Sequence, residues 1–302
     1  MSDWRPISLS DTAYKLFSKC LARKLSDWCE VFEVLSPAQK GFSPFDGDIE
    51  HNFLLSEHLE TARRDKCERF AAWLDIANAF GSIPHGVILS ALRNFGVDQD
   101  FARLVQNIYT EAATQVLTND GPTVPIPLKS GVKKGCPLSG ILFNLSIDAV
   151  LQEVQGQQES KAILAFVDDI VLLAKSQKDL QTLIDKAFVR LRDLRLEVNP
   201  HKCATLHLSG VTPVGARASN FMIGDIPLRH LDDCNAYTYL GKPVGFFLQK
   251  NFSDTNEALR IADCIAKSHL AHWQKLDALK LFSSLRSVSP CVLYSQSDFL
   301  KY

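Results

Sequence analysis

The sequence predicts an α+β fold, and three patterns carry that reading. Apolar residues at helical spacing fill the N-terminal stretch. Short, dense, β-prone runs follow, bounded by turn residues. Helices come first, then strands and helices mixed. The strands fall in adjacent pairs, as antiparallel hairpins do, not in an alternating β-α-β series.

In "SLSDTAYKLFSKCLARKLSDW", Leu9, Ala13, Phe17, Leu21 and Leu25 recur every four residues and predict an amphipathic helix. "IEHNFLLSEHLETARRD" predicts a second through Phe53, Leu54, Leu59 and Ala62. "RFAAWLD" is a buried strand ending in Asp75. Ser82 and Pro84 open a helix that Gly96 closes. Another helix is predicted from Gln99 to Ala113. Asn119, Asp120 and Gly121 mark a hairpin. The loop "SGVKKGCPLSG" leads into the helix "ILFNLSIDAVLQEV". "AILAF" and "IVLLA" form a hairpin joined by "VDD". A helix from Lys178 to Arg195, a turn at "NPHK", a strand at "CATLHLSG" and a small hairpin at "FMIGDIPL" come next. Beyond Asn251 the chain reads as mostly helical.

The 302 residues suffice for one large domain or two to three lobes, and 46% apolar with 22% charged residues is ordinary for a globular protein. No apolar run approaches the roughly 18 to 20 residues of a membrane helix, so no membrane association is expected. The start, "MSDWRPISLS", lacks the basic and apolar regions of a secretory signal. Eight cysteines without a C-x-x-C pair argue against a zinc finger and for free thiols in an intracellular, reducing setting. The net charge of −1 is unlike that of strongly basic nucleic-acid binders. Basic residues do cluster at Lys15, Lys19, Arg23 and Lys24, and again at Lys129, Lys133 and Lys134, although such runs are commonly just solvated faces.

The adjacent Asp168 and Asp169 repel each other between two apolar runs, which favours a compensating cation. Read alone, they fit a solvated hairpin tip better. Asp75 also ends an apolar strand. Were the two strands neighbours, three carboxylates would gather and offer hard oxygen ligands to Mg²⁺. Two such ions, about 3.5–4 Å apart, could activate a hydroxyl nucleophile and stabilise a leaving pyrophosphate.

"FVDD" (166–169) resembles the aromatic-x-Asp-Asp motif of reverse transcriptases, and "DIANAFGSIPH" (75–85) resembles their first aspartate motif. "GVKKGCPLSGILFN" (131–144) looks like their template- and primer-holding loop and helix. "WRPISLSDTAYKLFSKCLARKL", "AQKGF" (38–42), "LRLEVNPHKC" (194–203), "YLG" (239–241) and "HWQKLDALKLF" (272–282) resemble the non-LTR retrotransposon enzymes, especially elements that insert at specific sites. The resemblance covers nearly the whole chain, in the family's order.

The resemblance implies a right-hand polymerase with an antiparallel palm sheet. Fingers would span 1–70 and 96–130, incomplete at the N-terminus. The palm would span 71–95 and 131–245, and a truncated thumb 246–302. It implies RNA-directed DNA synthesis from dNTPs on a DNA primer and an RNA template, with two Mg²⁺ ions or Mn²⁺ in their place. Asp75, Asp168 and Asp169, with the Ile76 carbonyl, would hold the metals. Amides of Asn78 and Ala79 would face the triphosphate, and Phe80 would exclude a 2′-hydroxyl, unless it is simply core. Gly135, Pro137, Leu138 and Ser139 would form the turn against template base and nucleotide. Lys202 would protonate pyrophosphate, or else be a strand-edge lysine. Arg5 and the basic face at Lys15 to Lys24 would lie near phosphates. "YLG" would grip the primer, and Trp273 and Lys275 would belong to the thumb, with Trp273 either in the duplex groove or an ordinary core anchor.

Two positions depart from the pattern. Lys134 stands where the family usually has glutamine, and Gly140 where it has proline, which would loosen the helix start. The sequence is expected to be the core of a longer polyprotein, with DNA-binding and endonuclease modules elsewhere, and not to nick DNA itself. Such a protein would act on chromosomal DNA in the nucleus and assemble with RNA in the cytoplasm. A second reading is a catalytically silent, reverse-transcriptase-like RNA-binding or interaction protein from a decayed or truncated element. A general metal-dependent phosphotransferase would require the Phe80 and "PLSG" matches to be coincidence.

Overall fold

The structure is a computed structural model and describes residues 8–43, 47–119, 121–158, 160–246 and 252–285. Arg5, Asp120 and residues 286–302 lie outside that set.

Helix α1 (Thr12–Val31) starts where the Asp11 carboxylate accepts from the Tyr14 amide. Its buried stripe is Ser18, Leu21, Leu25 and Cys29, while Leu9 and Phe17 are exposed. A strict four-residue repeat overshoots each turn by about 40°, so the predicted stripe drifts off the core-facing side. Helix α2 (Gly47–Arg64) buries His51, Leu55, Leu59 and Ala62 and exposes Phe53. Strand β1 (Glu68–Asp75) leads to the one-turn helix α3 (Ala79–Ser82). Helix α4 (His85–Asn94) follows, and Gly96, at φ 78°, turns the chain into α5 (Gln99–Tyr109). The expected extension of α5 to Ala113 fails. Glu111 adopts a left-handed φ of 55°, and Ala113 enters β2 (Ala113–Thr114), paired with β5 (Ile126–Pro127) around the β3 (Leu117–Thr118) and β4 (Gly121–Pro122) hairpin.

Helix α6 (Ser139–Gln155) is buried on nearly every side because α1, α4, α7 and β6 all pack on it. Strands β6 (Ile163–Phe166) and β7 (Asp169–Ala174) form the expected hairpin, and Ser176 caps α7 (Gln177–Asp193). Then come β8 (Ala204–Ser209), β9 (Gly215–Arg217), β10 (Met222–Ile223), β11 (Ile226–Pro227), β12 (Arg229–His230), β13 (Ala236–Tyr239) and β14 (Lys242–Gly245). Helices α8 (Phe252–Lys267) and α9 (His272–Leu285) complete the described chain. No described helix is long and apolar enough to cross a membrane.

The main sheet runs β12-β8-β1-β7-β6, with β9 also on β8. Its long ladders are antiparallel, as expected. The edge is not: β12 pairs parallel to β8 through Arg229 and His230. Alternation of side chains gives each strand two faces. Phe70, Ala72 and Leu74 of β1, with Ile170 and Leu172 of β7, join the core built from α4 to α7. Ala71, Trp73, Val171 and Leu173 face the other way, onto Leu55 and Leu59 of α2 and Tyr239 and Val244 of the β13–β14 hairpin.

Two α2 histidines tie that second layer together. His51 Nδ1 lies 3.1 Å from the Tyr239 hydroxyl, and His58 Nε2 lies 3.2 Å from the Phe70 carbonyl oxygen. Burial pushes both imidazoles down, each to about 4. As pH falls from about 6.5 towards 4, the unfolded chain takes up protons at both sites that the folded chain refuses. Their contribution is therefore intact above pH 6.5 and lost progressively below it. Urea unfolding at pH 5 should show a stability loss of up to roughly 2 kcal/mol per histidine relative to pH 7. The double variant His51→Gln/His58→Gln should flatten that dependence.

Candidate active site

Strand β1 lies between β8 and β7, so Asp75 is carried to the end of the central ladder. The β1–β7 register pairs Phe70 with Ala174 and runs without a break to Asp75 opposite Asp169. Opposed residues of an antiparallel pair share a face, with Cβ atoms about 4.5–5.5 Å apart. The two carboxylates thus extend the row begun by Trp73 and Val171. Asp169 is the first residue of β7, so the β6–β7 connection is only Val167 and Asp168. Asp168 sits in that two-residue turn, beside the strand pair it was expected to join.

Tyr237 stacks on Trp73 with ring centroids 5.0 Å apart. Burial, then the charges of Asp169 and Asp75, push its phenol up to about 12. Both carboxylates therefore act on a single hydroxyl, and nothing in the spacing of the sequence pointed to Tyr237. Beneath Asp75, its amide donates to Cys203 Sγ at 3.4 Å, and its carbonyl accepts from the Asn199 amide at 2.8 Å. Ala77 N–H donates to the Glu197 carbonyl at 2.7 Å. The turn at 199–202 is thereby fastened to the aspartate strand, with the exposed Lys202 on it.

The donor set fits a hard divalent cation: carboxylate oxygens on neighbouring strand ends, half-buried at Asp75 and Asp168 and exposed at Asp169. A three-carboxylate cage is not preformed. Among the described residues no group of three or more His, Cys, Asp or Glu side chains could hold a metal ion unaided. Mg²⁺ in any case takes one or two protein carboxylates and completes its shell with water and substrate phosphates.

After β1 the chain turns sharply at Asn78, left-handed at φ 44°, into α3. The side chains of Ile76 and Ala79 are buried in the core, leaving only their main chain for a ligand. Phe80 is half-buried and stacks on Phe143 with centroids 4.9 Å apart and planes 11° from parallel. The loop before α6 holds this turn: Val132 N–H donates to the Phe80 carbonyl at 2.6 Å and Gly131 N–H to the Ile83 carbonyl at 2.7 Å.

In that loop Gly135 (φ 95°) and Pro137 are exposed. Leu138 and Ser139 are not. Leu138 is core, and Ser139 Oγ donates to the Lys133 carbonyl at 2.8 Å, so neither side chain reaches outward. Of the four residues expected against the nucleotide, two present a surface. Lys134 is half-exposed, and its carbonyl accepts from Ser8 N–H at 2.9 Å. Gly140 has a use beyond loosening the helix. A Cβ there would come within 2.4 Å of the Phe42 ring, and Phe42 in turn meets Phe80 edge-on at 6.2 Å. Tyr239 of "YLG" is buried, with Leu240 and Gly241 both at positive φ in the β13–β14 turn. Trp273 is 65% exposed, so it is not the core anchor considered as one alternative.

Residues 1–244 match the family described as reverse transcriptase (RNA-dependent DNA polymerase). Among curated proteins, the type-1 element R2 Pol polyprotein of Popillia japonica is 27% identical over 97% of this chain and 41% of its own length. The R2DM Pol polyprotein of Drosophila melanogaster is 31% identical over 79% of this chain and 23% of its own length. The chain therefore spans well under half the length of these relatives. Among solved structures, telomerase from Candida tropicalis, determined with a TWJ fragment of telomeric RNA, superposes with a TM-score of 0.52 at 11% identity. It covers 94% of this chain and 48% of that one, a likeness of fold. With the carboxylates at the meeting of β1 and the β6–β7 turn, this chain belongs to the reverse transcriptase family.

Proposed function

We propose that the chain catalyses RNA-templated DNA synthesis, adding dNTPs to a primer 3′-hydroxyl. The observation that carries this reading is the register that sets Asp75 against Asp169, with Asp168 in the adjoining turn. Asp75, Asp168, Asp169 and the Ile76 carbonyl would hold two Mg²⁺ ions. Bound there, the ions would supply an activated 3′-hydroxyl and charge neutralisation on the leaving pyrophosphate.

The chain's own groups do the rest. The main chain at Asn78 and Ala79 follows directly on Asp75 and suits the triphosphate. Phe80, backed by Phe143, would fill the space a ribose 2′-hydroxyl needs. Gly135 and Pro137 offer an exposed, close-approach turn to the template–nucleotide pair. Lys202, on the exposed turn that Asn199 bonds to Asp75, would donate a proton to pyrophosphate. The fingers, palm and thumb would follow the boundaries 1–70 with 96–130, 71–95 with 131–245, and 246–302. Endonuclease and DNA-binding modules would be supplied by a longer polyprotein, acting in the nucleus.

The test is dTTP incorporation by the chain on a poly(rA) template with an oligo(dT) primer and Mg²⁺. Template-dependent extension supports the reading. Salt-sensitive RNA binding with no extension under Mg²⁺ or Mn²⁺ would replace it with a silent, RNA-binding descendant. In the active chain, Phe80→Val should lower discrimination against ribonucleotides by roughly 10- to 100-fold in kcat/KM ratio, with little change for dNTPs. Unchanged discrimination would return Phe80 to the core.

A further inference from the structure

The segment 36–42 carries no acidic or basic group placed in the chemistry, yet it is built into the aspartate turn. Ala38 and Lys40 bracket Ala165 of β6: Ala165 N–H donates to the Ala38 carbonyl and Lys40 N–H to the Ala165 carbonyl, both at 2.9 Å. Helix α6 holds both ends. Asp148 accepts from Ser36 N–H at 2.7 Å, and Asn144 Nδ2 donates to the Gly41 carbonyl at 2.7 Å.

Between them, Gln39 is 6% exposed, and its amide bonds both to the turn and to its own segment. Its Oε1 accepts from Val167 N–H at 2.8 Å and from Gly41 N–H at 2.9 Å. Its Nε2 donates to the Val167 carbonyl at 3.4 Å. A side-chain amide that receives and returns hydrogen bonds to one residue fixes that residue's peptide planes.

Val167 needs such fixing. It is β-branched, buried, and held at φ 60°, a region that costs such residues on the order of 1–3 kcal/mol. The space around it has been cleared to match. A Cβ on Gly41 would stand 2.3 Å from Val167 Cγ2 and 2.7 Å from Val167 N. Val167 directly precedes Asp168, so its ψ aims both aspartates.

We infer that Gln39 is a positioning residue: it clamps the strained Val167 peptide and so sets the orientation in which Asp168 and Asp169 meet Asp75 and bind metal. This rests on the polymerase reading for its chemistry, but not for its geometry. Residues that orient metal ligands from behind typically change metal affinity or activity by about 10- to 100-fold when removed.

The experiment compares the parent chain with Gln39→Leu, Gln39→Glu and Gln39→Leu/Val167→Gly. Hydrogen exchange at residues 167–169 is followed without metal, and Mn²⁺ binding by electron paramagnetic resonance. Primer extension is titrated with Mg²⁺. Gln39→Leu should exchange the Val167 amide at least about tenfold faster and need about 10-fold more metal for half-saturation. Gln39→Glu keeps the acceptor and should keep most of the protection. Adding Val167→Gly should recover metal affinity, because glycine takes a positive φ without strain. Unchanged exchange and metal affinity in Gln39→Leu would overturn the clamp. So would a loss that merely follows global melting and is not rescued by Val167→Gly. Clamp-dependent exchange in a parent chain that never extends a primer would sink the polymerase reading and leave the clamp standing.

Discussion

Asp168→Asn should abolish primer extension, lowering kcat/KM by about 1000-fold or more, some 4 kcal/mol of transition-state stabilisation. Asparagine matches the carboxylate in shape but removes the charge a hard cation needs, while the two-residue turn survives. Far-ultraviolet circular dichroism and melting of the variant should match the parent. Asp75→Asn should be as damaging, and the register adds a sign the usual active-site argument lacks. Asp75 and Asp169 are directly opposed across an antiparallel ladder, and like charges so placed destabilise it by about 0.2–1 kcal/mol. Asp75→Asn and Asp169→Asn should therefore leave the metal-free protein equally or slightly more stable. Saturating Mg²⁺ should raise the melting temperature of the parent and not of Asp75→Asn. Activity surviving Asp168→Asn would defeat the assigned chemistry.

The part of this site legible in the sequence was the part written in local pattern. An apolar strand ending in Asp75, and two strands meeting at "VDD", follow from composition and period alone, and the ladder joins them. Which aspartate faces Asp75 did not follow. Turn length decides register, and the turn is one residue shorter than the three-letter connection suggested. Gln39 stands in the "AQKGF" match, but its contact, like that of Tyr237, was out of reach for another reason. Gln39 contacts Val167, 128 positions away, and Tyr237 meets Trp73 from another sheet, so no spacing rule links either pair. Leu138 and Ser139 show the opposite error. A motif match says that residues sit in a turn, not which way each side chain points. Helix α1 shows the same limit in simpler form, since its letters carry the period but not the phase that tertiary packing selects.

Gly131→Ala should be among the most damaging single-methyl additions in the chain, and the reason lies in how the 78–83 turn after Asp75 is held. Gly131 has φ 85°, which an alanine adopts only under strain. A Cβ there would also stand 2.7–2.8 Å from the oxygen, carbonyl carbon and Cα of Gly81, all main-chain atoms with no rotamer to retreat into. Gly81 cannot yield cheaply, because its amide donates to the Asn78 carbonyl at 2.8 Å and its carbonyl accepts from Ser130 Oγ at 3.2 Å. Gly131 itself is fixed by its N–H on the Ile83 carbonyl and by His85 Nε2, 3.0 Å from its own carbonyl oxygen. Strain and overpacking together should cost about 2–5 kcal/mol. For a domain of this size that lowers Tm by roughly 5–15 °C. The loss will not be confined to stability. To admit the methyl, the 130–132 loop must part from the 80–83 turn, and the Val132-to-Phe80 bond that sets the Phe80 backbone goes with it. At a temperature where the variant remains folded, ribonucleotide discrimination should therefore drop alongside the metal-independent melting point. Gly96→Ala, also at positive φ but with open space around its Cβ, serves as the control: it should lose stability and keep discrimination. Equal discrimination in both variants would show that the loop does not position Phe80.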